Sequence, residues 1–187
     1  MPTAVAPHRF TVHDFHRMGE SGILTETDRV ELIEGEIVEM TPIGARHAST
    51  VKRLIHLFSR HLGEQGIVGA QDPIVLGDLS EPQPDIVVLR PRQDFYAAGH
   101  PGPGDVFLLV EVADTSQTYD RRVKLPLYAR HGIPELWIVD LAAEVIEVYR
   151  EPVGEAFQVA EVAGRGEQVR PAEIAGLVLA VDDVLGE

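Results

Sequence analysis

The chain has no cysteine among its 187 residues. Disulfides and thiolate metal sites are therefore excluded, in keeping with a reducing compartment. The N-terminal stretch Met1–Arg9 carries no apolar run of signal-peptide length, and no segment is long enough to span a bilayer. The expected location is cytoplasmic, with no membrane partner. Positive charge is also scarce: 16 basic residues face 30 acidic ones, for a net charge of −14. Such a balance argues against a general polyanion-binding surface. Local basic clusters remain at Lys52-Arg53 with His56 and Arg60, and at Arg121-Arg122 with Lys124 and Arg130-His131. Charges more than about 8–10 Å apart are largely screened at physiological salt. Any nucleic-acid function must therefore rest on these clusters and on bound cations.

Lysine itself is almost missing: Lys52 and Lys124 stand beside fourteen arginines. Arginine serves equally well for solubility and ion pairing, but only lysine can lose a proton near neutral pH. Lys124 follows the most strand-like run of the chain, Val106 to Val112, whose one acid is Glu111. That run is apolar on both faces, so its carboxylate needs a partner or a metal. Upstream, Pro84-Asp85 opens a second apolar run, Ile86 to Leu89.

The remaining pattern gives one domain over residues 10–187 behind a loose arm at 1–9. Thr11 starts a short helix, with Asp14 at its third position. Val30 to Ile33 and Glu36 to Met40 read as a hairpin around Glu34-Gly35. From Ala45 to Gly63, Val51, Leu54, Ile55, Phe58 and Leu62 recur at helical spacing. Ile67 to Leu76 reads as a strand, with Pro73 hinting at an edge or bulge. The connection Pro91–Gly104 is long, as functional or mobile loops often are. A helix spans Thr118 to His131, with Asp120, Lys124 and Tyr128 on one face. Pro126 inside it is accommodated if regular helix begins near Arg122. Strands follow at Glu135–Asp140, Val145–Arg150 and Ala156–Val162. This order predicts an α/β (α+β) layered fold, with helices around a mixed β-sheet.

Two carboxylates on neighbouring strands repel one another, and a shared divalent cation removes that cost. Oxygen ligands suit Mg²⁺ or Mn²⁺, which can also hold a phosphate and activate water for attack on a phosphodiester. A lysine nearby can orient or deprotonate that water, or offset charge on phosphorus. Asp85, Glu111 and Lys124 cover these roles, with Asp85 and Glu111 as the metal ligands. The simpler alternatives are a turn cap for Asp85, an ion pair with Arg121 for Glu111 and a surface position for Lys124. Tyr128 and Trp137 read as core residues. The histidines other than His47 show no ligand spacing.

The constellation resembles the PD-(D/E)XK nuclease superfamily. Pro84-Asp85 matches the PD and Glu111 the first acid, but Ala113 stands where the motif lysine belongs. Lys124 would have to replace it from the following helix. A longer pattern is similar to a large bacterial family, abundant in cyanobacteria, of "putative restriction endonucleases". It comprises Glu31-Leu32-Ile33-Glu34-Gly35-Glu36, His47, Gln83-Pro84-Asp85, Glu111-Val112, Ser116, Tyr119-Asp120, Lys124, Tyr128-Ala129 and Gly132 to Asp140.

The resemblance implies a restriction-endonuclease-like fold and a Mg²⁺-dependent endonuclease acting on DNA. It adds Glu31, Glu36, His47, Gln83, Ser116 and Asp120 as supporting residues, and exposed strands after Asp140 as a surface for a homodimer. Two other readings share the same fold. One is a non-catalytic nucleic-acid-binding or regulatory module, which the net charge and Ala113 favour. The other is a metal-dependent phosphodiesterase on a small substrate, for which an acidic surface is less of a handicap.

Overall fold

The computed structural model describes residues 6–25 and 27–186. Of the expected arm, positions 1–5 lie outside the described residues. Arg9 donates to the Glu34 carbonyl at 2.8 Å and pairs with Glu36 at 2.7 Å, which lays the chain against the hairpin. Thr11 and Asp14 form a reciprocal capping box at the start of helix α1 (Val12–Glu20). Strands β1 (Val30–Ile33) and β2 (Glu36–Glu39) pair around Glu34 and Gly35, both at positive φ. A Cβ at position 35 would meet Arg9 at 2.7 Å, so the turn needs glycine for both reasons. Helix α2 (Ala45–Leu62) buries Val51, Leu54, Phe58 and Leu62 along one stripe.

Only β3 (Ile67–Gly69) forms where a strand to Leu76 is expected from the sequence. Gln71 adopts φ +57 and Pro73 has no N–H, so the chain turns out of the sheet. Ile74, Val75 and Leu76 then donate to the carbonyls of Pro82, Pro101 and Ser80.

The sheet continues through β4 (Ile86–Leu89), β5 (Val106–Ala113), β6 (Glu135–Asp140), β7 (Val145–Val153) and β8 (Ala156–Gly164), in spatial order β3-β4-β5-β6-β7-β8. Only the β5–β6 pair is parallel, and a parallel pair needs a crossover, usually helical. That crossover holds α3 (Gln117–Tyr119), a π-turn over Asp120–Lys124 and α4 (Leu125–Arg130). A late helix start near Arg122 is not what solves the Pro126 problem. The helix begins at Gln117 and widens: the Leu125 N–H reaches back five residues to the Asp120 carbonyl. Pro126 then falls at the beginning of α4, where a missing N–H costs little. Strands β9 (Gln168–Val169) and β10 (Leu179–Ala180) lead into α5 (Val181–Leu185).

Side chains alternate across β5. Leu108, Val110 and Val112 pack with α2 and α5, whereas Leu109 and Ala113 pack with Leu127, Tyr128 and Ile133. Glu111 shares the second face. The result is the expected α+β architecture, a mixed and mostly antiparallel sheet flanked by helices. No helix among the described residues is long and apolar enough to cross a membrane.

Candidate functional site

Register places the first two acids together. Ile86 of β4 faces Val110 of β5, so Asp85, one step earlier, falls opposite Glu111. Asp85 Oδ2 accepts the Val112 N–H at 2.8 Å and lies 3.0 Å from His47 Nε2 in α2. Glu111 Oε1 accepts the Tyr128 hydroxyl at 2.6 Å and lies 3.2 Å from Lys124 Nζ. The same ammonium is 3.3 Å from Glu31 Oε2 on β1. Glu31 is steadied in turn by the Gln83 N–H at 3.2 Å, and the Gln83 side-chain amide donates to the Val30 carbonyl at 3.2 Å. Lys124 thus bridges an acid on the central strand to an acid on the hairpin. Glu31, Asp85, Glu111, Asp120 and Lys124 are all buried, and they line a cleft of about 470 Å³.

The remaining candidates divide. His47, Gln83, Ser116 and Asp120 line the cleft. Asp120 accepts the Ser116 hydroxyl at 2.6 Å and acts on Lys124 only through its charge, not as the ion-pair partner that i, i+4 spacing suggests. Glu36 is placed elsewhere: its side chain is 60% exposed and paired with Arg9. It stands two residues nearer the turn than Val38, the cross-strand partner of Glu31, or about 7 Å along the strand.

Glu111 does not pair with Arg121, which is held by Asp140 and Glu147. The second basic cluster is thereby largely dispersed, with Arg122 left exposed. Arg121 is engaged by those acids, Lys124 is inside, and Arg130 pairs with Glu34 and Glu155. Two tyrosines join the site. Tyr128, which reads as core, is fully buried yet aims its hydroxyl at Glu111. Tyr119 lines the cleft with a buried hydroxyl that has no hydrogen-bond partner among the described residues. The i+4 spacing from Lys124 was the available signal for Tyr128.

Charge in this pocket is unbalanced: six acids, four of them buried, line it with one lysine, one arginine and one histidine. Burial pushes the Glu111 carboxyl up to about 8, against the downward pull of Lys124. Asp120 is raised for the same first reason. Burial alone would lower Lys124, but Glu111 and Glu31 outweigh it and hold the ammonium above its ordinary value. The state consistent with both shifts is a charged Lys124, with any surplus proton on the acids. In the metal-free protein the two glutamates therefore hold the proton on Lys124, whereas its rarity suggested a residue able to release it. The hydrogen bond to Asp85 is the main cause that raises His47, partly offset by burial.

The acids fit a hard divalent cation. Each commits one oxygen to protein donors, Oδ2 of Asp85 and Oε1 of Glu111. The other oxygen of each has no hydrogen-bond partner among the described residues. An oxygen-only pair with surplus negative charge is the donor chemistry of Mg²⁺ or Mn²⁺.

Comparison with known proteins gives the family and the fold. The profile of the family Uma2, described as "Putative restriction endonuclease", matches residues 12–182. The crystal structure of a "putative nuclease belonging to DUF820" from Anabaena variabilis superposes with a TM-score of 0.72 at 22% identity. The match covers 94% of this chain and 97% of that one, and at this identity it establishes the fold alone. No functionally curated protein matches the sequence.

Proposed function

The chain belongs to the Uma2 family of restriction-endonuclease-like proteins, and from that premise we propose that the cleft is a divalent-metal-dependent endonuclease site for DNA phosphodiester bonds. The observation that carries this reading is the buried bridge Glu111–Lys124–Glu31, set beside an Asp85 whose second carboxylate oxygen has no donor among the described residues. Asp85 and Glu111 would hold Mg²⁺ or Mn²⁺, which supplies charge neutralisation on the phosphate and activation of water. Lys124, kept charged by its two glutamates, offsets negative charge that develops on phosphorus and orients the attacking water. Tyr128 positions Glu111, Glu31 positions Lys124, and His47 positions Asp85 through Nε2. Ala113 leaves the usual lysine place empty, and the crossover helix fills the vacancy from another direction.

A nicking assay on supercoiled DNA with Mg²⁺ or Mn²⁺, comparing wild type with Asp85→Asn, tests the reading. Cation-dependent nicking confined to the wild type supports it. Equal activity in the two sinks it. One observation favours a smaller phosphodiester as substrate: of the crossover arginines, Arg121 and Arg130 are spent on internal ion pairs and only Arg122 stands exposed without one among the described residues. Cation-dependent hydrolysis of a dinucleotide or an aryl phosphodiester, without nicking of DNA, would select that alternative. Metal-free DNA binding that survives Asp85→Asn, without any hydrolysis, would select a binding module.

Proton competition sets a pH dependence. A cation on Glu111 must displace the proton that burial retains up to about pH 8. Affinity for Mn²⁺ is therefore expected to rise between pH 6 and 8, by up to about tenfold per pH unit for one proton released. Stability follows the opposite sign. The raised carboxyl stabilises the metal-free fold below its unfolded value of 4.5, and that stabilisation is lost as pH rises through about 8. Calorimetric titration at several pH values checks the first expectation, and a flat profile would contradict it.

Tyr128→Phe keeps the ring and removes one donor from Glu111. It is expected to cost about 1–3 kcal/mol in stability. Mn²⁺ affinity should weaken about 10–100-fold, as for loss of a group that orients a ligand. Thermal denaturation and cation titration on the same variant separate the two effects. Unchanged cation affinity would remove Tyr128 from the site.

A further inference from the structure

Outside the cleft, three segments far apart in sequence bring metal-binding side chains together. His16 comes from α1, Glu81 from the connector ahead of β4, and His100 from the long loop before β5. One ligand atom from each lies within 4.8 Å of the other two. His16 Nε2 is 2.7 Å from Glu81 Oε2, and the two imidazole rings stand 6.1 Å apart, edge towards face. Glu81 is buried, with a side chain 5% exposed, while both histidines reach solvent. The Glu81 backbone is held in both directions by Leu32 of β1, at 2.7 and 3.4 Å. The one side-chain partner of its carboxylate among the described residues is His16. A buried carboxylate with so little compensation is costly.

We propose that His16, Glu81 and His100 form a second metal site, for a first-row transition cation of the zinc class. The donor set separates it from the cleft. Two imidazoles and one carboxylate suit zinc, whereas the all-carboxylate cleft suits magnesium. Tetrahedral coordination at about 2.0–2.1 Å places ligand atoms roughly 3.3 Å apart. The present ligand atoms, within 4.8 Å of one another, stand near that spacing, and the two histidines that would adjust are exposed. Solvent access at the histidines leaves room for a water as fourth ligand.

The site's place in the fold gives it a structural role. Glu81 is tied to Leu32, and two residues further on the Gln83 N–H holds Glu31, the hairpin partner of Lys124. A cation at Glu81 would clamp α1 and the long loop onto the strand segment that supports the cleft from behind. This inference stands whether or not the cleft cleaves DNA.

Zinc titration of the untagged full chain, followed by dialysis and metal analysis, tests it. Excess Mg²⁺ keeps the cleft occupied. Wild type and Asp85→Asn are both expected to retain one zinc per chain, with a raised melting temperature. His16→Gln and His100→Gln should each weaken zinc binding by at least about tenfold, the scale on which metal sites respond to a lost supporting contact. Both positions are exposed, so circular dichroism should show these variants folded. Co²⁺ in place of zinc should give the visible absorption of a four-coordinate site in the wild type but not in the histidine variants. Zinc stoichiometry and affinity unchanged by His16→Gln and His100→Gln would overturn the proposal, as would no retained zinc in the wild type.

Discussion

Lys124→Met is expected to destabilise the metal-free protein by about 3–5 kcal/mol, the scale on which removing one partner of a buried ion pair is felt. Methionine keeps the unbranched stem, so the packing of the π-turn is largely preserved. What is lost is the ammonium 3.2 Å from Glu111 and 3.3 Å from Glu31. Without it the two carboxylates face one another in the interior, and burial already pushes Glu111 up. Protonation can relieve them, so the deficit should be larger at pH 8 than at pH 5. Denaturant unfolding at both pH values reads this difference directly. The same loss at both would assign the effect to packing rather than charge, and no loss at pH 8 would refute the buried bridge. Nicking should also fall to background in Mn²⁺, even under conditions where the variant is folded.

Asp85→Asn is expected to weaken Mg²⁺ and Mn²⁺ binding by about 100-fold or more and to leave no cation-dependent hydrolysis above background. Its cost in stability should be small. The asparagine oxygen can still accept the Val112 N–H that Asp85 accepts at 2.8 Å. A second readout is independent of catalysis. The hydrogen bond to Asp85 is the first cause of the raised His47 imidazole. In Asp85→Asn that imidazole should titrate lower, measurable by NMR. A variant that binds cations like the wild type would remove Asp85 from the proposed ligand set.

Much of this arrangement was legible in the sequence because local rules and the global fold agree. The Thr11–Asp14 cap, the Glu34-Gly35 turn, the stripe of α2 and the apolar run of β5 each follow from a few adjacent residues. Glu111 and Lys124 stood out for a related reason, as a lone acid in an apolar strand and a rare lysine. The misses share a different cause. Ile67–Leu76 reads as a strand because apolar residues continue, but Gln71 and Pro73 break the backbone there. Pro126 signalled a helix problem without revealing that a π-turn resolves it. Glu36 sits in the same motif as Glu31, yet distance along the hairpin and a partner in Arg9 take it elsewhere. The charge state of Lys124 depends on Glu31, which lies in another element. No reading of its own helix could supply that.

The bridge over Lys124 also bears on when the site comes into being. Glu31 lies on an N-terminal hairpin that is not part of the main sheet, and Lys124 lies on the crossover between the two parallel strands. Contacts of such long sequence separation close late, because the chain between them must first be ordered. During synthesis, Glu31, Asp85 and Glu111 all leave the ribosome before the lysine that gathers them. A nascent or truncated chain that stops short of residue 124 carries the acids without the cation that holds them together. The proposed hydrolytic capacity, on this geometry, belongs to the finished fold alone.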